Sequence, residues 1–379
     1  MHDTVTAKDR PAGFVPPPYP YDRLDEVKAL AAAHDGGVVD LSIGTPCDPP
    51  LDAVVAALAS SGAERGYPPS IGTPAFREAA AAWLERRLGA TVPAAQIGAC
   101  IGTKEFVAGL PQWLQLRDPS RDTVLYPAIS YPTYEMGATL AGCRAVAVPV
   151  DDQWRIDLDA IDPADVPRAL CLWVNTPGNP AGGLDDLAAA AEWGRANDVL
   201  VVSDECYAEF TWDGGPRTVL SSGPDGVLAV HSLSKRSNLA GVRAGFFAGD
   251  AELVHYLQEV RKHAGFMLPG PVQAAAVAAF GDDAHVDVQR ERYRTRLTTL
   301  AEVIATAYDI DVDMPGGGFY LWIPAPDGDA WAFTRRLATD AGTLVSPGEF
   351  YGDAGSGHVR IAAVQPDDRI ALVGARLGA

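Results

Sequence analysis

Three apolar runs in this chain each end abruptly in polar or glycine-rich sequence, and few folds are open to a chain built that way. The runs are Leu170-Cys-Leu-Trp-Val174, Val199-Leu-Val-Val-Ser203 and Val227-Leu-Ala-Val-His231. Unbroken Val/Leu runs of this length suit strands covered on both faces, as in a parallel sheet. Alanine-rich amphipathic stretches separate such runs, and the pattern predicts helices over Arg77–Leu88 and Asp185–Asn197. Strands are predicted over Val124–Tyr126, Ala169–Val174 and Val199–Ser203. That alternation implies an α/β fold with a mostly parallel sheet. A long helical stretch, Ala284–Ala307, leads into a smaller α+β unit with strands Gly318–Ile323 and His358–Ala362. The expected division is an N-terminal arm over 1–40 joining the small domain, a large domain over 41–280 and a small C-terminal domain over 281–379. The arm is proline-rich, and no internal repeat is present.

The residues just beyond each run carry chemistry. After Val227–His231 come Ser232-Leu-Ser-Lys-Arg-Ser-Asn-Leu-Ala-Gly-Val-Arg243, with Lys235 flanked by Ser232, Ser234 and Ser237. The other lysines, Lys8, Lys28, Lys104 and Lys262, sit in charged or loop-like contexts that suit a solvated side chain. A lysine at the end of a buried strand can lose its proton and attack a carbonyl. Hydroxyls on both sides and Arg243 beyond suit a phosphate monoester. A carbonyl and a phosphate on one small molecule describe pyridoxal phosphate, although a surface loop holding a lysine is the plainer alternative. After Val199–Ser203 comes Asp204, with Tyr207 near it. A carboxylate there is costly unless paired, and a protonated pyridine nitrogen is such a partner; a helix N-cap is the plainer alternative. The third run opens into Asn175-Thr-Pro-Gly-Asn-Pro-Ala-Gly-Gly183, a loop of the kind that forms the ligand crevice of open α/β sheets. Asn179 offers an amide there, or serves only to form a turn.

Together these windows resemble the class I/II aminotransferases of the pyridoxal-phosphate fold type I. The resemblance rests on Asn175-Thr-Pro-Gly-Asn-Pro-Ala-Gly182, Ser203-Asp-Glu-Cys-Tyr207 and Ser232–Arg243, and it runs almost end to end. Gly66–Arg77, Gly102-Thr-Lys-Glu105, Tyr131-Pro-Thr-Tyr134, Gly316–Trp322 and His358-Val-Arg-Ile-Ala362 match further blocks in order and spacing. Phe14–Leu24, Leu41–Pro46 and His263–Gln273 look most like the succinyldiaminopimelate transaminases of lysine and diaminopimelate biosynthesis.

The resemblance implies a fold-type I architecture and pyridoxal phosphate as cofactor. Lys235 would hold the cofactor and carry the proton at the substrate Cα. Asp204 would pair with the ring nitrogen, Tyr207 and Asn179 with the ring oxygen, and Tyr131 would stack on the ring, a position that Ile129 could share. Ser232, Ser234, Arg243 and the Gly102-Thr103-Lys104 turn would surround the phosphate. Tyr67 would reach the phosphate of the neighbouring subunit in a homodimer with shared active sites. Arg360 would grip the substrate α-carboxylate in the two-pronged way that lysine cannot; a structural ion pair is its plainer alternative. Gly44 would bring its backbone to the substrate, or be a turn glycine only. Arg23, Arg65 and Arg236 are all candidates for a distal carboxylate. The expected substrates are amino acids and 2-oxo acids, with N-succinyl-LL-2,6-diaminopimelate and 2-oxoglutarate foremost. Another class I/II aminotransfer (LL-diaminopimelate, aspartate or aromatic) and a β-elimination on the same scaffold are the alternatives.

Composition narrows the field without choosing within it. A net charge of −19 argues against nucleic acid or an anionic membrane as partner. An anionic substrate must therefore be caught by locally placed arginines. The chain's acidity, and an N-terminal arm too short for a DNA-binding domain, argue against a transcription regulator. Five scattered cysteines without a Cys-x-x-Cys pair read as thiols in a reducing compartment, so a cytoplasmic location is expected. Residues 1–12 show no secretory signal, and no uncharged apolar run approaches membrane-spanning length. The seven histidines show no His-x-x-x-His spacing, so no metal site is expected.

Overall fold

A computed structural model describes residues 13–378; the expectation about a secretory signal concerns residues 1–12, which with residue 379 lie outside the described residues. The centre is a seven-stranded sheet. Its spatial order is Ile97–Cys100, Gly245–Gly249, Val227–Ser232, Leu200–Asp204, Ala169–Asn175, Thr123–Pro127 and Arg144–Val148. Gly245–Gly249 alone runs against its neighbours; the rest are parallel, as the alternating pattern predicts. Every residue of Ala169–Asn175 and of Val227–Ser232 is buried.

Alternate residues of these strands serve two different cores. Leu172, Val174, Val201 and Phe246 pack with Phe76, Trp83 and Phe280 on one face. Cys171, Trp173, Val202 and Phe247 pack with Phe106, Trp113 and Tyr134 on the other. Each buried large apolar side chain contributes about 1.5–3 kcal/mol. With both faces dry, a polar residue in mid-run would forfeit that on either side, which is why the runs are unbroken.

The helix Pro74–Leu88 shows how the covering layer is specified. Thr73 caps it by accepting from the Phe76 N–H at 3.2 Å, Pro74 fills the first position and Gly89 ends it at φ 68°. Phe76, Ala80, Trp83 and Leu84 form its buried stripe. The helix predicted from Asp185 begins instead at Leu187, with Asp186 as cap. Asp185 itself is buried and accepts from Ile156 N and the Thr176 hydroxyl, each at 2.8 Å. The predicted strand from Gly318 starts at Tyr320, because Gly318 sits at φ 80°.

The long helix Ala284–Tyr308 leads to a three-stranded antiparallel sheet of Ser346–Pro347, His358–Ala362 and Tyr320–Pro324. The N-terminal strand Val39–Asp40 pairs in parallel with Thr343–Leu344, so the chain's beginning is stitched to its end. Among the described residues no helix is long and apolar enough to cross a membrane.

Candidate active site

Asn175, Asp204 and Ser232 are the last residues of three adjacent parallel strands, so the sheet itself brings them together. Asn175 lies in register with Asp204. Its amide donates to the Asp204 carbonyl at 2.8 Å and its side-chain oxygen accepts from Asn179 N at 2.8 Å, which folds the Pro/Gly loop back over the strand end. After Ser232 the chain turns into a four-residue helix, Leu233–Arg236. Ser232 Oγ accepts from Ser234 N at 3.0 Å and lies 2.8 Å from Ser234 Oγ. These elements open onto a cavity of about 460 Å³, lined among others by Lys235, Asp204, Tyr207, Asn179, Arg243 and Arg360.

Burial shapes the charge state of the two central groups. It lowers the Lys235 ammonium from its ordinary 10.5 to about 8; Cys206 opposes this, while Arg360 and Arg243 add to it. The amine donates to the Gly44 carbonyl. Burial raises the Asp204 carboxyl, against hydrogen bonds from Cys206 and Tyr134 that favour the anion. Asp204 Oδ1 accepts from Cys206 N at 3.2 Å and Oδ2 from the Tyr134 hydroxyl at 3.1 Å. Asp204 is no helix cap, since the short helix beyond it, Ala208–Phe210, starts behind Tyr207. A cation set against this carboxyl would reverse the effect of burial and ionise it.

One corner is made for an anion. The helix Thr103–Arg117 begins there behind Gly102, and Thr103, Ser232, Ser234 and Arg243 line the cavity beside it. Gly102 stands at φ 73°, and a Cβ on it would run into the Arg243 guanidinium. The left-handed conformation therefore favours glycine here, and a Cβ would also displace the guanidinium from its place.

The opposite wall comes from the C-terminal sheet. Arg360, 2 % exposed, donates to Asn179 Oδ1 at 2.8 Å, to the Tyr21 hydroxyl at 3.2 Å and to the Ser42 carbonyl at 2.5 Å. Its guanidinium lies 4.1 Å from the Tyr320 ring centre and 4.6 Å from that of Tyr351. All these partners are neutral, and its Nε has none. A buried guanidinium among neutral acceptors suits an incoming carboxylate. Among the described residues Arg360 is thus in no ion pair. Gly44 is needed here for close approach, since a Cβ would overlap the Tyr320 hydroxyl. Tyr320 in turn holds the Tyr207 hydroxyl at 2.9 Å.

Most of the residues expected from sequence meet in this one cavity: Lys235, Asp204, Tyr207, Asn179, Thr103, Lys104, Tyr131, Ser232, Ser234, Arg243, Gly44 and Arg360 line it. Gly102 borders it through Arg243. Tyr131 lines the cavity, whereas Ile129 is buried against Leu24 and Trp322. Lys104 turns its ammonium towards the rings of Tyr19 and Tyr131, at 5.5 and 5.9 Å. Tyr67 is 97 % exposed and outside the cavity of its own chain. The three candidate arginines do not reach it either. Arg23 pairs with Glu349 at 2.6 Å, Arg65 is exposed, and Arg236 is buried behind the cavity against Glu209. Sequence reasoning missed Tyr19, Tyr21, Tyr320 and Cys206 as lining residues. Each lies in a block quoted for the resemblance, but none is a residue type that announces a role by itself.

The family model for aminotransferase class I and II matches residues 36–375. The chain belongs to that family. The enzyme is 45 % identical over 369 residues to the 4-dedimethylamino-4-oxo-anhydrotetracycline transaminase OxyQ of Streptomyces rimosus, covering 95 % of this chain and 99 % of the relative. It is 31 % identical to an LL-diaminopimelate aminotransferase of Gloeobacter violaceus, over 93 % of each chain. Among solved structures it resembles a probable N-succinyldiaminopimelate aminotransferase of Thermus thermophilus, with a TM-score of 0.85 at 30 % identity, covering 94 % of this chain and 98 % of that one. As in the rest of the family, the cofactor of this aminotransferase is pyridoxal phosphate. The cavity fits it: an anion corner at a helix N-terminus, a buried carboxyl that gains from a cation, and an amine made reactive by burial stand around one space.

Proposed function

We propose that the enzyme transfers the amino group of N-succinyl-LL-2,6-diaminopimelate to 2-oxoglutarate, as a step of lysine and diaminopimelate biosynthesis. The observation that carries aminotransfer is a buried amine, Lys235, with a buried guanidinium, Arg360, across the same cavity. When bound, pyridoxal phosphate supplies a carbonyl to take the amino group and a ring to accept electrons from the substrate Cα. The chain does the rest. Arg360 and the main chain at Gly44 orient the α-carboxylate, so that the Cα proton points towards Lys235. Lys235 takes that proton from Cα and would give it up at the cofactor carbon that receives the amino group, a role that needs a neutral amine near working pH. Asp204 would balance a positive ring nitrogen, with Tyr134 fixing its carboxylate. Tyr207 and Asn179 would hold the ring oxygen, and Tyr131 would pack against the ring. Thr103, Ser232, Ser234, Arg243 and the main chain after Gly102 would hold the phosphate. Tyr67 belongs to the partner's site in a cytoplasmic homodimer.

Among the described residues the cavity is lined by four basic side chains that a distal acid could meet: Lys104, Lys235, Arg243 and Arg360. Three have places above, which leaves Lys104 at the mouth between Tyr19 and Tyr131. An acidic group at the far end of a long substrate suits it. The likeness to the Thermus structure and to the diaminopimelate relative supports this substrate class. The greater identity to a transaminase of a polycyclic ketone favours a second reading, in which the tyrosine-lined mouth takes a bulky ring system.

The test is a panel of donors with 2-oxoglutarate: N-succinyl-LL-diaminopimelate, LL-diaminopimelate, aspartate and phenylalanine. A bulky cyclic ketone with glutamate forms a second arm. The succinylated donor should give the highest kcat/KM. Preference for the ketone arm would select the second reading. With a donor that carries a β-leaving group, release of keto acid and ammonia beyond one equivalent per site without 2-oxoglutarate would replace aminotransfer with β-elimination.

A further inference from the structure

Arg236 comes directly after Lys235, yet it faces away from the cavity and is almost fully buried. Its Nε donates to Glu209 Oε1 at 3.3 Å, and its Nη1 donates to Ser237 Oγ at 3.1 Å and to the Ala279 carbonyl at 2.8 Å. The rings of Trp83 and Phe280 lie 5.4 and 5.6 Å from its guanidinium. Glu209 is equally enclosed, both side chains being 3 % exposed. Its Oε1 also accepts from Trp83 Nε1 at 2.8 Å, and its Oε2 from Arg87 Nε at 3.0 Å. Glu209 stands two residues after Tyr207, in the short helix Ala208–Phe210 whose Phe210 N–H donates to the Tyr207 carbonyl at 2.8 Å.

A buried ion pair is an expensive way to gain stability, because packed apolar groups of the same volume serve as well or better. What the pair supplies is fixed geometry between two named segments. The helix that carries Lys235 has only four residues and cannot hold itself in place. Its neighbour Arg236 is clamped by Glu209, more loosely by Asp283 at 3.8 Å, by Ser237 Oγ and the Ala279 and Asp282 carbonyls, and by two aromatic faces. Glu209 belongs to the segment that presents Tyr207 to the same cavity. We infer that the Glu209–Arg236 pair is a positioning device: anchored behind the cavity, it fixes where the Lys235 amine stands relative to the Tyr207 hydroxyl. The inference rests on Lys235 being the reacting amine, and it adds residues that touch neither substrate nor cofactor.

The experiment uses holoenzyme and three variants. Arg236→Lys and Glu209→Gln break the strut. Arg87→Gln weakens the same charge cluster from its far side, where Arg87 also meets Asp287 at 2.7 Å, and leaves the strut in place. The readouts are kcat, the KM of the donor, the pH midpoint of the visible absorbance of bound cofactor, and the melting temperature. Displacing the amine should lower kcat roughly tenfold or more, with KM nearly unchanged. The absorbance midpoint should move by about half a pH unit or more in the strut variants, since the environment of the amine changes. Arg87→Gln should lose melting temperature yet keep both kcat and midpoint. Loss of melting temperature in all three variants with no shift of midpoint would overturn the inference and leave a packing role. If Glu209→Gln does not fold, Arg236→Lys decides by the same readouts. Borohydride trapping of the wild type checks the underlying reading separately. Label on a residue other than Lys235 removes that reading, whereas label on Lys235 with an unmoved midpoint removes only the strut.

Discussion

The two walls of the cavity are built by different physics. The floor, with Asn175, Asp204, Ser232 and Lys235, consists of strand ends and the turns just beyond them. Its residues are neighbours because parallel strands with buried faces have one register that keeps every side chain on its proper side. The mouth, with Tyr19, Tyr21, Lys104 and Arg360, is assembled from an N-terminal segment, a helix start and the C-terminal sheet. The Tyr21 hydroxyl meets both Tyr351, at 2.9 Å, and Arg360, at 3.2 Å, across more than three hundred residues of chain. On the proposed reading the floor carries the chemistry, and the tyrosines and Lys104 of the mouth tell one substrate from another.

On that division, changes to the floor remove turnover for every substrate, and changes to the mouth sort substrates by shape and charge, Arg360 excepted because every substrate shares its α-carboxylate. The largest effect is expected for Lys235→Ala. Steady-state transamination should fall at least about 10⁴-fold for all donors, because both the covalent anchor and the proton carrier are gone. Residual turnover near wild type would place the chemistry elsewhere. Asp204→Asn should still bind cofactor but slow every donor about 100- to 1000-fold, since an amide cannot balance a positive ring nitrogen. Single-turnover kinetics would show the loss in the proton-transfer step.

The pH dependence of Lys235 tests the floor without any substitution. Burial holds its pKa down at about 8, so the neutral amine forms at lower pH than in a free lysine. In cofactor-free protein, reductive labelling of Lys235 by an aldehyde should rise with pH and level off above about 8. At pH 8 the neutral fraction should exceed that of an ordinary lysine by about 100-fold. A rise that continues to the ordinary 10.5 would mean that the amine is solvated.

The mouth should respond more gently. Arg360→Lys keeps the charge and loses the two-pronged grip, for a cost of about 2–5 kcal/mol, or at least about 30-fold in kcat/KM, shared by donor and keto acid. Damage confined to dicarboxylic substrates would move Arg360 from the α-carboxylate to the distal one. Lys104→Gln should raise KM for donors with a distal acid about tenfold, the scale of one lost charge-assisted contact, and spare neutral donors. An equal effect on both would make Lys104 a phosphate ligand, in keeping with its place in the Gly102-Thr103-Lys104 turn.

The same contrast explains what can be read from the chain alone. Lys235, Asp204 and Asn179 are legible because each lies just beyond an apolar run that can only be a buried strand, and a parallel sheet puts such ends side by side. Arg360 is legible as an arginine in a strand-like segment short of an anion. Tyr21 and Tyr320 are not, because a tyrosine carries no charge pattern and its partner is set only when distant segments meet. Arg236 misleads for a related reason. It sits beside Lys235 in sequence, but a helical turn points adjacent side chains in different directions, and here that difference separates the cavity from the core. Asp185 misleads in the same way, looking like a helix start when its neighbour Asp186 is the cap.

The width of the cavity at the amine is gauged by something the chain leaves out. Gly44 offers its carbonyl to Lys235 on one side and bare Cα to the Tyr320 hydroxyl on the other. A single methyl there would push Tyr320, and through it the Tyr207 hydroxyl 2.9 Å beyond. The room beside the amine is therefore fixed at this point, and a variant that needs more of it must gain it elsewhere in the lining, at the tyrosines of the mouth.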